Sequence, residues 1–204
     1  MKLFYAPGSC SMASHITLEE SGIPYETTRV NLKEKKTADG QNYLAINPKG
    51  YVPCVQLEDG TVLTENTALL PYLGELNPDS GLMPTGGSRE SYRVREWLAY
   101  INGEVHKNCS PLFSPVAADA IKSFHREVLG KRLPVVDKAL NGVNFLVGER
   151  FTVADAYLFV ILSWFPRLNL DFGPYPNLKA FFERVKARPA VQKVLADEFP
   201  PQAA

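Results

Sequence analysis

Cysteine and histidine are scarce, at 3 residues each in a chain of 204. Cys10, Cys54 and Cys109 are odd in number, widely spaced and form no C-x-x-C pair, which argues against a disulfide framework or a cysteine-based zinc site. His15, His106 and His125 fall in no H-x-x-x-H or H-E-x-x-H pattern, so no metal is expected. Neither sign of charge is in excess: 22 Lys and Arg balance 22 Asp and Glu, leaving no electrostatic footprint for DNA or RNA. Also missing is an apolar run of about 18 residues, so no membrane span is expected. Met1 to Cys10 has one early Lys but too short an apolar core for a signal peptide. There is no internal repeat and no low-complexity tract. What is present suffices for packed cores: 45% of residues are hydrophobic, and 14 Gly and 16 Pro stay short of the disordered or collagen-like range. At roughly 100–200 residues per domain, the length allows one large domain or two small ones. A soluble, cytoplasmic, globular protein is the expectation.

The chain divides by pattern. Residues 1–80 carry 6 basic and 10 acidic residues and show short apolar runs broken by Gly and Pro; the remainder is net basic and helical in period. Lys2 to Ala6 reads as a strand ended by Pro7-Gly8. Ser11 to Ser21 reads as a helix with Gly22 as its C-cap, and Tyr25 to Leu32 as a second strand. Tyr51–Leu57 and Thr61–Leu63 flank an Asp59-Gly60 hairpin signal, and Thr64 caps a helix towards Leu76 in which Pro71 predicts a kink. Residues 77–88, rich in Asn, Pro, Gly and Ser, read as a linker between domains 1–80 and 88–204. Beyond it Val94, Trp97, Leu98, Ile101 and Val105 form an amphipathic stripe. Further helices are expected near 117–140, 153–168, 177–187 and 190–198. The fold class is a small α/β domain followed by an all-α domain.

Several residues suit chemistry, and each has a plainer alternative. Cys10 lies between the first strand and first helix, where the helix dipole and open N–H groups would lower its pKa; the alternative is a packed, inert thiol. Val52-Pro53 opens a strand; a cis bond there would turn the Val52 backbone towards an extended peptide ligand, whereas a trans edge proline would do nothing. Glu65 and Asn66 start a helix, a place for a ligand carboxylate and, at Glu65, an ammonium group, or simply for dipole compensation. Glu104, His106 and Lys107 share a helix. Glu104 and His106 lie about 200° apart at 3.6 residues per turn, so one chain would hardly bring both to one site, while two helices about a twofold axis would. A lone His or Lys on a helix is otherwise structural or solvated. Thr152 and Asp155 match a capping box with Phe151 before it, a folding signal outside the active site.

These residues together resemble a known family. Lys2-Leu3-Phe4-Tyr5, Pro7-Gly8-Ser9-Cys10-Ser11, Asn47-Pro48-Lys49-Gly50 with Val52-Pro53, and Leu63-Thr64-Glu65 look like the bacterial beta-class glutathione S-transferases. So do Glu104 to Lys107, Pro111-Leu112-Phe113 and Phe151 to Phe159, in the same order and spacing nearly end to end. The resemblance implies a thioredoxin-like first domain, a helical second domain with an electrophile site, a homodimer, and glutathione as co-substrate. By position it implies Cys10 beside the glutathione sulfur, with Ser11 as a further donor. It implies Val52 on the tripeptide backbone ahead of a cis Pro53, and Glu65 and Asn66 at the γ-glutamyl end. Lys35 and Lys107 would stand near the tripeptide's charges, His106 at the sulfur, and Glu104 at the other subunit's site. Two positions depart from the family: Asn66 replaces Ser or Gly, and Ala99 replaces an Asn that contacts the neighbouring subunit's glutathione. The implied activity is conjugation of glutathione to hydrophobic electrophiles, with thiol–disulfide exchange through Cys10 as a companion. A non-catalytic binding protein on the same fold, or a dedicated dehalogenase or reductase, is the alternative.

Overall fold

A computed structural model of the chain describes residues 1–200. Its strands are β1 (Lys2–Tyr5), β2 (Glu26–Asn31), β3 (Lys36–Thr37), β4 (Cys54–Gln56) and β5 (Val62–Thr64). They form one sheet in the order β3-β2-β1-β4-β5, with β1 and β2 parallel and the other pairs antiparallel. The β1-to-β2 crossover is α1 (Met12–Ser21), ended by Gly22 in the left-handed conformation at φ 68°. Such a conformation is open to glycine without penalty, which is why the helix stops there. The connection between β2 and β4 holds β3 and a short α2 (Tyr43–Ile46), neither of which the sequence pattern announces.

After β5 comes α3 (Asn66–Glu75), which runs through Pro71 without a break. Leu69, Leu70 and Leu73 are fully buried along it, so packing outweighs the one hydrogen bond the proline removes. Then follow α4 (Arg89–Tyr100), a π-helical turn (Ile101–His106) and α5 (Lys107–Cys109). The set is completed by α6 (Asp119–Ala139), α7 (Val153–Leu162), α8 (Pro176–Lys186) and α9 (Pro189–Glu198). Helix α7 is buried on every side and forms the axis of the helical part. Its capping box forms: Asp155 Oδ2 accepts from Thr152 N and Thr152 Oγ1, both at 2.8 Å, and Oδ1 accepts from Leu146 N at 2.9 Å.

Helices α1 and α3 are packed on two sides. Leu18, Leu69 and Leu73 meet Leu3 and Val55 of the sheet. Met12, Ala13, Ile16 and Leu70 join the helical core. Residues 77–88 are anchored as well: Leu82 and Met83 are buried in that core, and Val153 N donates to Leu82 O at 3.0 Å. The sheet and the bundle therefore hold a fixed seam between them, along which the candidate residues lie. Among the described residues no helix is long and apolar enough to cross a membrane.

Candidate functional site

A cleft of about 370 Å³ opens at this seam. Its sheet-side wall carries Cys10, Lys49, Tyr51, Val52, Pro53, Glu65 and Asn66; its helical wall carries Asn102, His106, Lys107, Ser110 and Tyr157. Seven of the residues expected from sequence, Cys10, Val52, Pro53, Glu65, Asn66, His106 and Lys107, thus meet in one place; Ser11 and Lys35 do not, and Glu104, expected at the other subunit's site, lies outside this cleft.

Cys10 sits at the head of α1 with its Sγ donating to Val52 O at 3.3 Å. Contrary to the expectation of a lowered pKa, burial pushes this thiol up to about 11. The first-turn backbone and Lys107 pull the other way, but desolvation of a thiolate outweighs them, and Glu65 adds to the rise. Cys10 is a thiol donor near neutrality. Ser11 is also displaced from its expected role. It is fully buried and its Oγ binds Ala6 N, Ala6 O and Ser9 Oγ, tying the turn together instead of facing the cleft.

The Val52-Pro53 bond is cis, and Val52 is buried beneath the cleft floor. Tyr43 Oη and Asn47 Nδ2 both donate to Tyr51 O, which fixes the preceding residue. Glu65 precedes α3 with φ 69°, an unusual conformation for a residue with a Cβ and one that clusters at ligand sites. Its exposed carboxylate meets Lys49 Nζ at 3.0 Å. Asn66 is buried; its Nδ2 donates to Cys10 O at 3.0 Å and its Oδ1 accepts from Ser14 Oγ at 3.1 Å. The side chain therefore joins the starts of α1 and α3, and the open N–H groups of the α3 first turn remain for an anion.

His106 lies on the π-helical turn, whose i→i+5 bonding widens the helix at a point where such bulges often serve function. Its Nδ1 is 2.6 Å from Tyr157 Oη, and Tyr157 Oη donates to Asn102 Oδ1 at 3.1 Å. A phenol that donates to Asn102 accepts from His106, so the ring carries its proton on Nδ1 and leaves Nε2 as an acceptor. Burial, with help from the Lys107 charge, lowers this imidazole to about 4 and keeps it neutral. Trp164 packs edge-on against it at 5.0 Å between ring centroids.

Lys35 is a correction to the sequence reading: its Nζ donates to Gly50 O at 2.7 Å and lies 5.3 Å from the Tyr51 ring centroid, so it supports the rim from behind. Glu104 points away from the cleft and pairs with Arg132 on α6 at 2.5 Å. The separation of Glu104 from His106 expected for an α-helix holds across the π-helical turn. Asn102, three residues beyond Ala99 and the residue that could stand in for the family's Asn, lines this chain's own cleft, and Tyr157 joins it there without a place in the sequence reading. A phenol in the otherwise apolar stretch Ala156 to Leu162 is the signal for Tyr157, because a buried Tyr hydroxyl needs a partner. No group of three potential metal ligands occurs among the described residues.

Comparison with known proteins agrees with this arrangement. Residues 8–76 match the family model of the glutathione S-transferase N-terminal domain and residues 100–189 that of the C-terminal domain. Glutathione S-transferase GstA of Escherichia coli O157:H7 is 44% identical over 198 residues, covering 97% of this chain and 98% of that protein. Among solved structures, the ternary complex of BphK, a bacterial transferase, superposes with a TM-score of 0.96 at 46% identity, covering 97% and 99% of the two chains. A sphingomonad glutathione S-transferase complexed with glutathione gives 0.94 at 41%, covering 97% and 98%. The beta-class enzyme of Sphingomonas chungbukensis gives 0.94 at 39%, covering 98% and 99%. With a thioredoxin-like sheet, a helical partner and a thiol-bearing cleft between them, the chain belongs to the glutathione S-transferase family, in its bacterial beta class.

Proposed function

We propose that the protein conjugates reduced glutathione to small hydrophobic electrophiles. The observation that carries this reading is the meeting of Cys10, Val52 with cis Pro53, Glu65, Asn66 and His106 in one cleft. The Val52 backbone pairs with the tripeptide as an added strand. Glu65 takes the γ-glutamyl ammonium, the α3 first turn takes its carboxylate, and Lys107 balances charge at the mouth. The raised Cys10 pKa favours the glutathione thiol, and not Cys10, as nucleophile. His106 Nε2 accepts a hydrogen bond from that thiol, and Cys10 turns its one S–H from Val52 O to the sulfur as negative charge develops there. The thiol proton passes to solvent, and the sulfur–carbon bond forms as the leaving group departs with its electron pair or, for an addition, as the carbon takes a proton from solvent. Thiol–disulfide exchange through Cys10 is a secondary activity that requires its thiolate.

Residues 1–80 supply the glutathione half and 88–204 the electrophile half, joined through 77–88. The working unit is a cytoplasmic homodimer in which Glu104 turns to the partner's site. Calorimetric titration with reduced glutathione tests the central reading: saturation between about 1 μM and 1 mM is expected, and no binding in that range refutes it. Sedimentation as a monomer removes the Glu104 role.

A further inference from the structure

Beyond His106 the helical wall continues as an aromatic shelf. The buried Trp164 is held by its Nε1 donating to Gly8 O at 2.8 Å, and Phe113 packs edge-on against it at 5.4 Å. Phe113 is 38% exposed, so its ring is available to a ligand. Arg167, on the short turn Pro166–Leu168, extends over that ring with its guanidinium carbon 5.3 Å from the centroid. The same guanidinium borders the turn that carries Cys10: Nη1 lies 3.7 Å from the point a Cβ on Gly8 would occupy.

Arg167 is exposed, and among the described residues no carboxylate lies within 4.0 Å of it. The carboxylate that also reaches Gly8, Glu198, is buried and turned inward: its Oε2 accepts from Gly8 N at 2.8 Å and its Oε1 meets His15 Nδ1 at 3.0 Å. Among the described residues Arg93, Arg95, Arg132 and Arg188 reach carboxylates, whereas Arg29, Arg89, Arg126, Arg150 and Arg184 do not, so it is its place over Phe113 and beside the Gly8 turn that sets Arg167 apart. A guanidinium is a planar, permanently charged fork suited to a carboxylate or similar anion. Here it stands at the end of an apolar shelf that begins at the reacting cleft.

We propose that Arg167 is an anion anchor, and that the preferred electrophiles are aromatic or conjugated compounds bearing a carboxylate, their apolar part on Phe113, which Trp164 backs, and their charge on Arg167. This rests on the transferase reading above and names its substrate class. In the reaction with an aryl chloride, the glutathione thiol gives its proton to solvent, the sulfur–carbon bond forms, and chloride leaves with the carbon–chlorine electron pair.

The test compares 4-chloro-3-nitrobenzoate with the uncharged 4-chloro-3-nitrobenzamide, using glutathione and the wild-type, Arg167→Gln and Arg167→Lys proteins. The two compounds differ in intrinsic reactivity, but this cancels when the benzoate-to-benzamide ratio of kcat/KM is compared between proteins. The ratio is expected to fall about 10-fold or more in Arg167→Gln, through KM, and to be partly kept in Arg167→Lys. Added salt should lower it in the wild type. A ratio equal in all three proteins, with both compounds turned over, overturns the anion anchor and leaves the transferase reading standing. A merely packing Arg167 would give that result, because it would slow both compounds alike. Absence of glutathione-dependent turnover for both, together with absence of glutathione binding, overturns the transferase reading and this proposal with it.

Discussion

The sheet-side wall of the cleft presents much of its chemistry through the main chain, whereas the helical wall presents side chains. On the first, the Val52 backbone, the open turn of α3 and the head of α1 are the groups a peptide would meet. On the second, Asn102, His106, Tyr157, Trp164 and Phe113 form a connected set of rings and hydrogen bonds. Backbone recognition depends on the fold and tolerates side-chain change; side-chain recognition changes with each substitution. On the function proposed above, glutathione would meet the sheet wall and the electrophile would be selected by the helical wall.

Cys10 provides the largest measurable departure from a sequence-only view of the sheet wall. With its pKa at about 11, alkylation by iodoacetamide near pH 7 should run about 100-fold or more below that of a free cysteine and climb steeply only above pH 9. A fast reaction at neutral pH, read by mass spectrometry, would break the assignment of Cys10 as a donor. Next in size is the frame of the helical wall. Asp155→Ala leaves the backbone N–H groups of Leu146 and Thr152 without their partner, so urea denaturation should show a loss on the order of 3 kcal/mol. A loss under about 0.5 kcal/mol would mean that the cap does not hold α7 in place.

Glu65 separates stability from binding on the sheet wall. Glu65→Gly relieves the positive φ and should raise the melting temperature, while glutathione binding weakens about 10-fold to 100-fold with loss of the carboxylate. Thermal melts and calorimetry on the same sample read both, and unchanged affinity would remove Glu65 from the ligand site.

The smallest net effect in the wild type concerns pH, because two groups on the helical side oppose each other. The folded protein holds His106 at about 4 against an ordinary 6.5, so the unfolded chain binds more protons between those values. The His106 contribution is present above pH 6.5 and is lost as pH falls towards 4. Asp155 has the opposite sign: burial raises its carboxyl from 3.8 to about 6, against the pull of its hydrogen bonds. The folded state binds more protons there, so this contribution is present below pH 3.8 and is lost as pH rises through 6. The two nearly cancel in the wild type. Asp155→Asn should therefore make stability fall between pH 6.5 and 4, and His106→Gln should make it rise as pH falls over the same range. Identical slopes in all three proteins would show that neither group is coupled to folding.

Much of this organisation is readable from residue order. The Pro7-Gly8 break, Gly22, Asp59-Gly60 and Thr152 with Asp155 are local signals, because each acts within a few residues through backbone geometry or a cap. Helix α7 and the Val94–Val105 stripe follow from apolar spacing, although α7 stops at Leu162 and not near 168, and the stripe passes from α4 into the π-helical turn at Ile101. The short β3 and α2 escape such reading, since two and four residues carry no period, and α3 passes through Pro71 because its leucines are buried on both sides.

For the site, sequence and resemblance identify residue types and the family pattern, and so place Cys10, Val52, Pro53, Glu65, Asn66, His106 and Lys107 in one region. Direction and charge state are decided elsewhere. Whether Cys10 is thiol or thiolate depends on the desolvation that packing imposes against a helix dipole of limited reach. Lys35 turning to Gly50, Asn66 joining two helices, and Tyr157 setting the His106 tautomer all depend on partners 15 to 56 residues away. Local physics fixes where the chain turns; only the assembled structure determines which groups lose their water, and hence which protons they keep.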